Sequence, residues 1–340
     1  MGAGAEDVFG LTGETVAGKY RVDALVGEGG FGVVYRGFHL DLEVAVALKC
    51  LKVPAHFTAD ARRLFLGQFR TEGKLLAKLG TAHLSIVRVY DIGEIERPGG
   101  AAVPYLVLEW LDGRELRAVI DERWQSGLGP WAEADALALL RPAIEALAAA
   151  HERGIAHRDI KPQNLFLANE RQGTRLKVLD FGIAKAMQEG ERATQLATRT
   201  ATGFKPFSPW YGAPEQFLSE KYGATGPWTD VHAMGLIVAE LVSGRPPLEG
   251  ENAFALMVPA TSAERPTPRR LGAQVSDGLE AVCQKALALH PRERFRTGTT
   301  RYRSTMPTSR RERETWFSSP RWTEAEWKSR SAPAPTSRAR

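Results

Sequence analysis

The 340-residue sequence is poor in cysteine, and its two thiols, Cys50 and Cys283, lie far apart. Two isolated cysteines among apolar neighbours form neither a disulfide framework nor a metal-ligand pattern, so both are predicted to be reduced core thiols. No apolar run reaches the roughly 18 residues that would cross a bilayer. The first ten residues also lack the basic and apolar segments of a secretory signal. These absences predict a soluble cytoplasmic protein without a membrane partner.

The positive charge of the chain is concentrated at its end. The formal net charge is +5, but residues 291–340 alone hold 13 Lys+Arg and 5 Asp+Glu. The first 290 residues are therefore slightly acidic, with 32 basic and 35 acidic side chains. Such a balance gives no general attraction to phosphate backbones, so the folded part is not expected to bind DNA. The length allows about two domains of ordinary size, and 43% hydrophobic residues are normal for a globular chain.

The most informative stretch is a polar loop at residues 157–164, which reads HRDIKPQN in one-letter code. Pro162 prevents the loop from continuing as a regular helix. An Ala-rich apolar helix is predicted before it, over 137–150, and the apolar run Leu165–Leu167 follows. A polar loop between two buried elements is a common place for functional residues. Sixteen residues after Asn164, directly behind a strand-like segment, stands the triplet Asp-Phe-Gly at 180–182.

In this order and spacing, the loop and the triplet resemble the catalytic loop and metal-binding triplet of eukaryotic-type Ser/Thr protein kinases, including those of bacteria. The resemblance covers residues 18–297 and implies a bilobal α+β fold. The small lobe, residues 18–110, would be an antiparallel β-sheet with one helix, and the large lobe, residues 114–297, would be mainly helical. A hinge is expected at about 109–113. The resemblance leaves a leader at 1–17 and a basic tail at 298–340 outside the domain.

The resemblance assigns chemical roles to the polar loop. Asp159 would accept a hydrogen bond from the substrate hydroxyl and take its proton, while Lys161 would neutralise the γ-phosphate of ATP. Asn164 and Asp180 would supply hard oxygen ligands to Mg²⁺, with Mn²⁺ as an alternative metal. A lysine at position 161 is typical of Ser/Thr kinases rather than tyrosine kinases.

A glycine-rich segment joins two predicted strands at Tyr20–Val26 and Val33–Gly37. The pattern Gly-x-Gly-x-x-Gly is shared with dinucleotide-binding folds, but those need a helix after the glycines, and here a Val-rich strand follows. Glycine lets backbone amides approach phosphates, because a Cβ would hold the backbone away. A hairpin turn without a ligand is the alternative. The predicted nucleotide-binding residues of this region are Gly27, Glu28, Gly29, Gly30, Phe31, Gly32, Val34 and Ala47.

A third predicted strand, Val44–Leu51, carries Lys49 among apolar residues. An unpaired ammonium group there would be costly to desolvate, so a partner is expected. The helix predicted over 58–79 offers Glu72, whose frame F-x-x-E-x-x-x-L resembles that of the family's small-lobe helix. The resemblance implies that Lys49 holds the α- and β-phosphates and that Glu72 orients it. A snorkelling lysine and a solvated glutamate are the alternative.

The predicted strand Tyr105–Trp110 leads into the hinge. By resemblance, the backbones of Glu109 and Leu111 would pair with the adenine edge, behind Leu108 as the gatekeeper residue. Glu115 would reach the ribose, or would act as a helix N-terminal acid that favours the helix dipole. ATP is thus the implied cofactor.

An activation segment is predicted between Asp180 and Glu215, and it ends on the family's closing motif Ala-Pro-Glu at 213–215. Ser208 stands where the family commonly has a threonine that contacts the catalytic aspartate. A threonine in the polar middle of the segment, once phosphorylated, would dock on Arg158 and neighbouring basic groups. A solvated loop without modification is the alternative. The candidate phosphorylation sites are Thr194, Thr198, Thr200 and Thr202.

Three residues further along the chain are predicted to stabilise the large lobe. Asp230 resembles the buried aspartate that caps the backbone of the catalytic loop, and it also fits an ordinary helix-start acid. Arg294 resembles the arginine that pairs with Glu215 and ties the activation segment to the core. His232 is predicted to be structural rather than catalytic.

The implied reaction is transfer of the γ-phosphate of ATP to Ser or Thr hydroxyls of proteins, including the chain's own activation segment. A pseudokinase that binds nucleotide without turnover is one alternative, and a nucleic-acid-associated protein that uses the basic tail is another. The tail lacks any helical or strand period, which predicts disorder. An altered reading frame is the other interpretation of the tail. The sequence indicates neither the substrate protein nor the oligomeric state.

Overall fold

The computed structural model describes residues 7–29, 32–96, 102–171, 173–181 and 207–296. Gly30, Phe31, the four candidate phosphorylation sites and the tail at 298–340 lie outside these residues. The described chain divides into two compact units. The first holds the residues up to Leu111 together with Phe181, and the second holds Asp112 to Asp180 and the residues from Phe207 onward. This division lies within the predicted hinge at 109–113.

The first unit is organised by an antiparallel β-sheet of six strands, counted over the described residues, in which neighbours along the chain pair except that the sixth strand lies between the fourth and the fifth. Alternate side chains of these strands, many of them β-branched or aromatic, point to a shared apolar core. The strand predicted over Val44–Leu51 is confirmed at both ends. The strands are β1 (Thr15–Val16), β2 (Tyr20–Gly29), β3 (Gly32–His39), β4 (Val44–Leu51), β5 (Val89–Ile95) and β6 (Val103–Glu109).

A long helix, α1 (Ala59–Ala82), accompanies this sheet, and it confirms the helix predicted over 58–79. The Thr58 hydroxyl caps its first turn by accepting a hydrogen bond from the backbone N–H of Ala61 at 3.2 Å. Apolar side chains at helical spacing, including Phe65 and Phe69, are buried along one face. Glu72 is buried on the same helix, so α1 carries a carboxylate that is shielded from solvent.

The segment before β2, predicted as a leader, contributes to the core of the first unit. Leu11 and Val16 are only 3% and 4% exposed and belong to the same apolar cluster as Tyr35. The Asp7 carboxylate accepts hydrogen bonds from the Tyr35 hydroxyl and from the backbone and hydroxyl of Thr12. The folded sheet therefore starts before residue 18. A two-residue strand between turns has no hydrophobic period, which is why the sequence pattern did not indicate it.

The second unit is mainly helical, as the resemblance implied. Its two longest helices pack against each other, and the later of the two is buried along nearly its whole length. A small antiparallel sheet pairs its three strands in sequence order. No helix among the described residues is long and apolar enough to cross a membrane. The elements are β7 (Gly113–Glu115), α2 (Leu116–Gln125), α3 (Glu133–His151), β8 (Leu165–Glu170), β9 (Gly173–Val178), α4 (Pro214–Phe217), α5 (Ser219–Tyr222), α6 (Pro227–Ser243), α7 (Ala253–Thr261) and α8 (Asp277–Ala286).

Candidate active site

The polar loop at 157–164 is held in place from the core of the second unit by Asp230. Its carboxylate accepts the backbone N–H of His157 at 2.8 Å and that of Arg158 at 2.7 Å. His151 Nε2 lies 2.7 Å from the same carboxylate. Burial favours a higher pKa for Asp230, but the hydrogen bonds and the nearby imidazoles outweigh it, so its pKa lies below the usual value. Asp230 is therefore an anion that fixes the loop backbone.

This support allows an unusual backbone conformation at the centre of the loop. Arg158 has a φ of +69°, a left-handed conformation that non-glycine residues rarely adopt. Its N–H donates to Asp230, and its carbonyl accepts a hydrogen bond from Gln216 Nε2 at 2.8 Å. Asp180 also has a positive φ, of +60°. Positive φ values at polar residues are typical of functional sites, where the surrounding structure offsets the strain.

Asp159 lies at the centre of a compact polar cluster. Its Oδ1 accepts the backbone N–H of Ser208 at 2.8 Å, and its Oδ2 lies 3.0 Å from Lys161 Nζ. Lys161 Nζ also donates to the Ser208 hydroxyl at 2.6 Å. Asn164 Nδ2 donates to the Asp159 carbonyl at 2.7 Å and to Oδ2 at 3.2 Å. Asp159 is only 7% exposed, so its carboxylate is held in a fixed position.

Asn164 and Asp180 are brought close in the chain fold by the pairing of β8 with β9. Leu165 is opposite Val178, and the Leu179 N–H donates to the Asn164 carbonyl at 2.9 Å. Asp180 is the next residue, so an amide and a carboxylate end up at the same end of this hairpin. Because the Asn164 amide nitrogen is turned to Asp159, its oxygen is the end available to a cation. Among the described residues no group of three or more His, Cys, Asp or Glu could hold a metal.

Glu115 closes β7 on the same small sheet, opposite Phe166. Partial burial and the charge of Asp180 raise the pKa of the Glu115 carboxyl, and Lys161 opposes the shift. The adjoining start of α2 also fits the alternative prediction, a helix N-terminal acid.

The pair predicted between Glu215 and Arg294 is present and fully buried. Arg294 Nη1 lies 2.9 Å from Glu215 Oε1, and both side chains are 0% exposed. The Thr229 hydroxyl donates to the same carboxylate oxygen at 2.8 Å. His232, on the next turn of α6, is also fully buried, and burial together with two nearby guanidinium groups holds its pKa well below the usual value. This environment agrees with a structural role for His232.

In the first unit, three of the predicted nucleotide-binding residues share one face of the sheet. Val34 is directly opposite Lys49 in the β3–β4 pairing, and Ala47 is two residues from Lys49. Their neighbours Val33 and Cys50 point to the apolar core on the other face. Lys49 is 7% exposed and Glu72 6%, so both charged groups are buried within this unit.

The described glycines of the glycine-rich segment lie at the end of the β2–β3 hairpin, where Gly27 is opposite Val34 and Gly29 is opposite Gly32. A Cβ on Gly32 would lie 2.3 Å from the Cys50 carbonyl, so strand pairing itself requires this glycine. A Cβ on Gly27 would meet no atom of the chain within 4 Å. Glu28, predicted to bind nucleotide, forms an ion pair with Lys52.

The hinge residues lie where β6 ends. Leu108 is opposite Ala47 across the β4–β6 pairing, and Glu109 is the last residue of β6. The Glu109 carboxylate accepts the backbone N–H of Arg88 at 3.0 Å. Leu111 is the last residue of the first unit. These contacts fix the strand end on which the adenine assignments depend.

A buried polar triad in the second unit was missed from the sequence. Glu240 accepts hydrogen bonds from Arg117 Nη1 at 2.8 Å and from the Tyr211 hydroxyl at 2.6 Å. Burial raises the pKa of Glu240, and these two partners oppose the shift. The available signal was one acidic residue within an otherwise apolar helix, because such a residue needs a partner.

Comparison with known proteins agrees with the geometry. The model of the protein kinase domain matches residues 20–301. A probable serine/threonine-protein kinase of Corynebacterium efficiens is 35% identical over 83% of this chain and 40% of its own length. The serine/threonine-protein kinase PknB of Mycolicibacterium smegmatis is 34% identical over 84% of this chain and 42% of its own length. The chain thus spans about two fifths of the length of these relatives.

Solved structures show the same fold. The crystal structure of the Mycobacterium tuberculosis PknI kinase domain superposes with a TM-score of 0.60 and 25% sequence identity. The match covers 84% of this chain and 94% of that domain. With the family match over most of the chain, the bilobal α+β architecture and the polar loop centred on Asp159, the chain belongs to the protein kinase family.

Proposed function

We propose that the protein transfers the γ-phosphate of ATP to Ser or Thr hydroxyls of protein substrates. The observation that carries this proposal is the cluster in which Lys161, Asn164 and Ser208 all contact Asp159. A carboxylate held this way can orient a hydroxyl, and an adjacent ammonium can neutralise a phosphate. Because ATP is a cytoplasmic metabolite, we place the reaction in the cytoplasm.

Asp159, Lys161 and Ser208 each have one role in the proposed reaction. The substrate hydroxyl donates a hydrogen bond to Asp159 and gives up its proton there as its oxygen bonds to the γ-phosphorus. The bond between that phosphorus and the β,γ-bridging oxygen breaks, and ADP leaves. Lys161, 3.0 Å from the Asp159 carboxylate, stabilises the negative charge on the phosphoryl oxygens. Ser208 keeps Lys161 in place through its hydroxyl.

The proposed nucleotide contacts are as follows. Val34, Ala47 and Lys49 share one sheet face, which supports a role for this face in contacting ATP, with Lys49 on the α- and β-phosphates and Glu72 as its orienting partner. The backbone of the glycine-rich hairpin, Gly27 to Gly32, is proposed to approach the phosphates. The backbones of Glu109 and Leu111 are proposed to pair with adenine, and the Glu115 carboxyl with the ribose.

Asn164 and Asp180 fit a hard divalent cation. Carboxylate and amide oxygens are the donors that Mg²⁺ takes, and this ion needs few protein ligands because it retains water and phosphate oxygens. We therefore propose that this pair holds Mg²⁺, with Mn²⁺ as a substitute. The bound metal would neutralise phosphate charge, while Asn164 keeps its amide nitrogen on Asp159.

The test is phosphate transfer from labelled ATP to the chain itself and to a generic protein substrate. Asp159→Asn is expected to lower the rate by about 10²- to 10⁴-fold, because the general base is lost. Lys49→Met is expected to weaken ATP binding as well. Asp277→Asn, whose wild-type carboxylate is 95% exposed, is the control and should be active. A folded wild-type chain that binds Mg²⁺-ATP without turnover would favour the pseudokinase alternative.

We also propose that the kinase phosphorylates its own activation segment at one of Thr194, Thr198, Thr200 and Thr202. Arg158 is positioned by Asp230 and Gln216, which supports its role as a partner for the phosphate. Mass spectrometry after incubation with Mg²⁺-ATP should find phosphate on this group in the wild type and none in Asp159→Asn. Absence of phosphate from residues 183–208 in an active enzyme would refute self-modification there.

A further inference from the structure

An open groove of about 820 Å³ lies in the second unit beside the residues that contact Asp159. This volume is that of an ordinary ligand site and holds several side chains. One face of α2, the turn after Ser208, α6 and the segment that follows α6 form its walls. The side chains that give the groove its charge and aromatic character are Arg117, Asp121, Trp124, Trp210, Glu249 and Glu251.

The groove starts at the proposed phosphoacceptor position. Lys161 and Ser208 line it, and both contact the Asp159 carboxylate, at 3.0 Å and 2.8 Å. An extended peptide advances roughly 3.3 Å per residue. If a substrate hydroxyl reaches Asp159, as the proposed function requires, the residues next to it must therefore lie along the groove. The inference drawn from this groove rests on that proposed function.

The groove already binds one guanidinium group, that of Arg117. Its Nη1 lies 2.8 Å from Glu240, its Nη2 lies 2.8 Å from Asp121, and its Cζ lies 4.9 Å from the Trp124 ring. Carboxylates combined with an indole face are the surroundings that best hold an arginine side chain. The walls are thus built from groups that suit cations.

A second set of the same groups has no cation. Glu249 and Glu251 are exposed, and neither has a hydrogen-bond or ion-pair partner within the described ranges. Trp210, which also lines the groove, is 48% exposed and offers an open indole. Among the described residues, four carboxylates and two basic side chains line the groove, and both basic side chains are already bound to carboxylates. The groove therefore presents unneutralised negative charge to a substrate.

We propose that this groove selects protein substrates that carry arginine or lysine close to the phosphorylated Ser or Thr. Glu249 and Glu251 are the specificity-determining residues, and Trp210 supplies a face for the cation. An acidic residue at the same place in a substrate would meet like charges, so the groove also rejects acidic sequences. Attraction at an exposed surface is screened by salt, so the preference should weaken at high ionic strength.

The experiment compares nine-residue peptides with one central threonine and either two arginines or two alanines at flanking positions. The full chain with Mg²⁺-ATP is expected to show a kcat/KM at least fivefold higher for the arginine peptides. In Glu249→Gln/Glu251→Gln this ratio should fall to about 1–2. Glu152→Gln, an exposed carboxylate outside the groove, should retain the wild-type ratio. Thermal unfolding midpoints identify any variant that fails to fold.

A binding assay separates this inference from the proposed function. Fluorescence anisotropy of labelled peptides, with alanine in place of the threonine, measures selection without turnover. If the wild type phosphorylates nothing but binds arginine peptides at least fivefold more tightly, with loss of that preference in the double variant, the groove assignment stands and the kinase proposal fails. If the wild type phosphorylates arginine and alanine peptides with equal kcat/KM, the groove assignment is refuted and the kinase proposal stands.

Discussion

Substitutions of Ser208 test how much the catalytic rate depends on a single hydroxyl group. This hydroxyl accepts a hydrogen bond from Lys161 at 2.6 Å, while the Ser208 backbone N–H separately binds Asp159. Ser208→Ala removes only the first contact, so kcat should fall about 10- to 150-fold, since hydrogen bonds to charged groups are worth roughly 1.5–3 kcal/mol and each 1.36 kcal/mol is a factor of ten in rate. Ser208→Thr keeps the hydroxyl and should retain activity. Steady-state kinetics with both variants will decide, and an inactive threonine variant would contradict this role.

The lowered pKa of Asp230 predicts how the stability of the fold responds to acid. Its pKa is lowered in the folded state, so its contribution to the unfolding free energy is complete above the unfolded value of 3.8 and is lost as the pH falls through the folded pKa. The unfolding free energy of the wild type, measured in urea, should therefore decrease from about pH 4 downward. Asp230→Asn should cost about 2–4 kcal/mol at pH 7 and show a shallower decline below pH 4. Asp277→Asn, an exposed control, should follow the wild-type curve.

At the scale of elements, replacing either of two glycines of α1 by alanine should have opposite effects on the unfolding free energy. Gly67 is exposed, and a Cβ there would meet nothing within 4 Å, whereas a Cβ on Gly80 would lie 2.8 Å from the Val87 carbonyl oxygen. Gly67→Ala should raise the unfolding free energy by up to about 1 kcal/mol through helix propensity. Gly80→Ala should lower the unfolding free energy by about 1–3 kcal/mol, because the backbone around Val87 must shift to make room for the Cβ. Chemical denaturation of both variants measures the difference, and equal shifts would refute the close packing at Gly80.

The elements also show what the sequence could predict. Long segments with a clear period, such as Val44–Leu51 and the helix around Glu72, were predicted within a few residues, because their own side chains specify them. The contribution of Leu11 and Val16 to the core was missed, because a two-residue strand has no period and depends on the sheet it joins. Motif spacing singled out the Asp159 loop, in which Lys161 and Asn164 contact the Asp159 carboxylate. The Glu240 triad was not predicted, since its partners are distant in sequence and meet only in the fold.

At the scale of the whole molecule, buried charge links parts of the chain that are far apart in sequence. Arg294 reaches back 79 residues to Glu215, and Asp230 reaches 73 residues back to His157. Burial lowers the pKa of Arg294, and the charge of Glu215 opposes that shift. Removing one partner of such a buried pair lowers the unfolding free energy, because the other charge remains buried without a counter-charge. They therefore favour one arrangement of the second unit over alternatives that would separate the charges.

The contribution of the Glu215–Arg294 pair to the unfolding free energy can be measured by substitution. Arg294→Met should lower the unfolding free energy by about 3–5 kcal/mol, because it leaves the Glu215 carboxylate in the core without its cation. Glu215→Leu/Arg294→Met should be less destabilised than the sum of the single variants, by about 0.5–3 kcal/mol in a double-mutant cycle. Arg292→Met, two residues earlier and exposed, is the matched control and should change little. Additive single effects would show that the two charges do not depend on each other, and that the link between these distant segments is apolar packing instead.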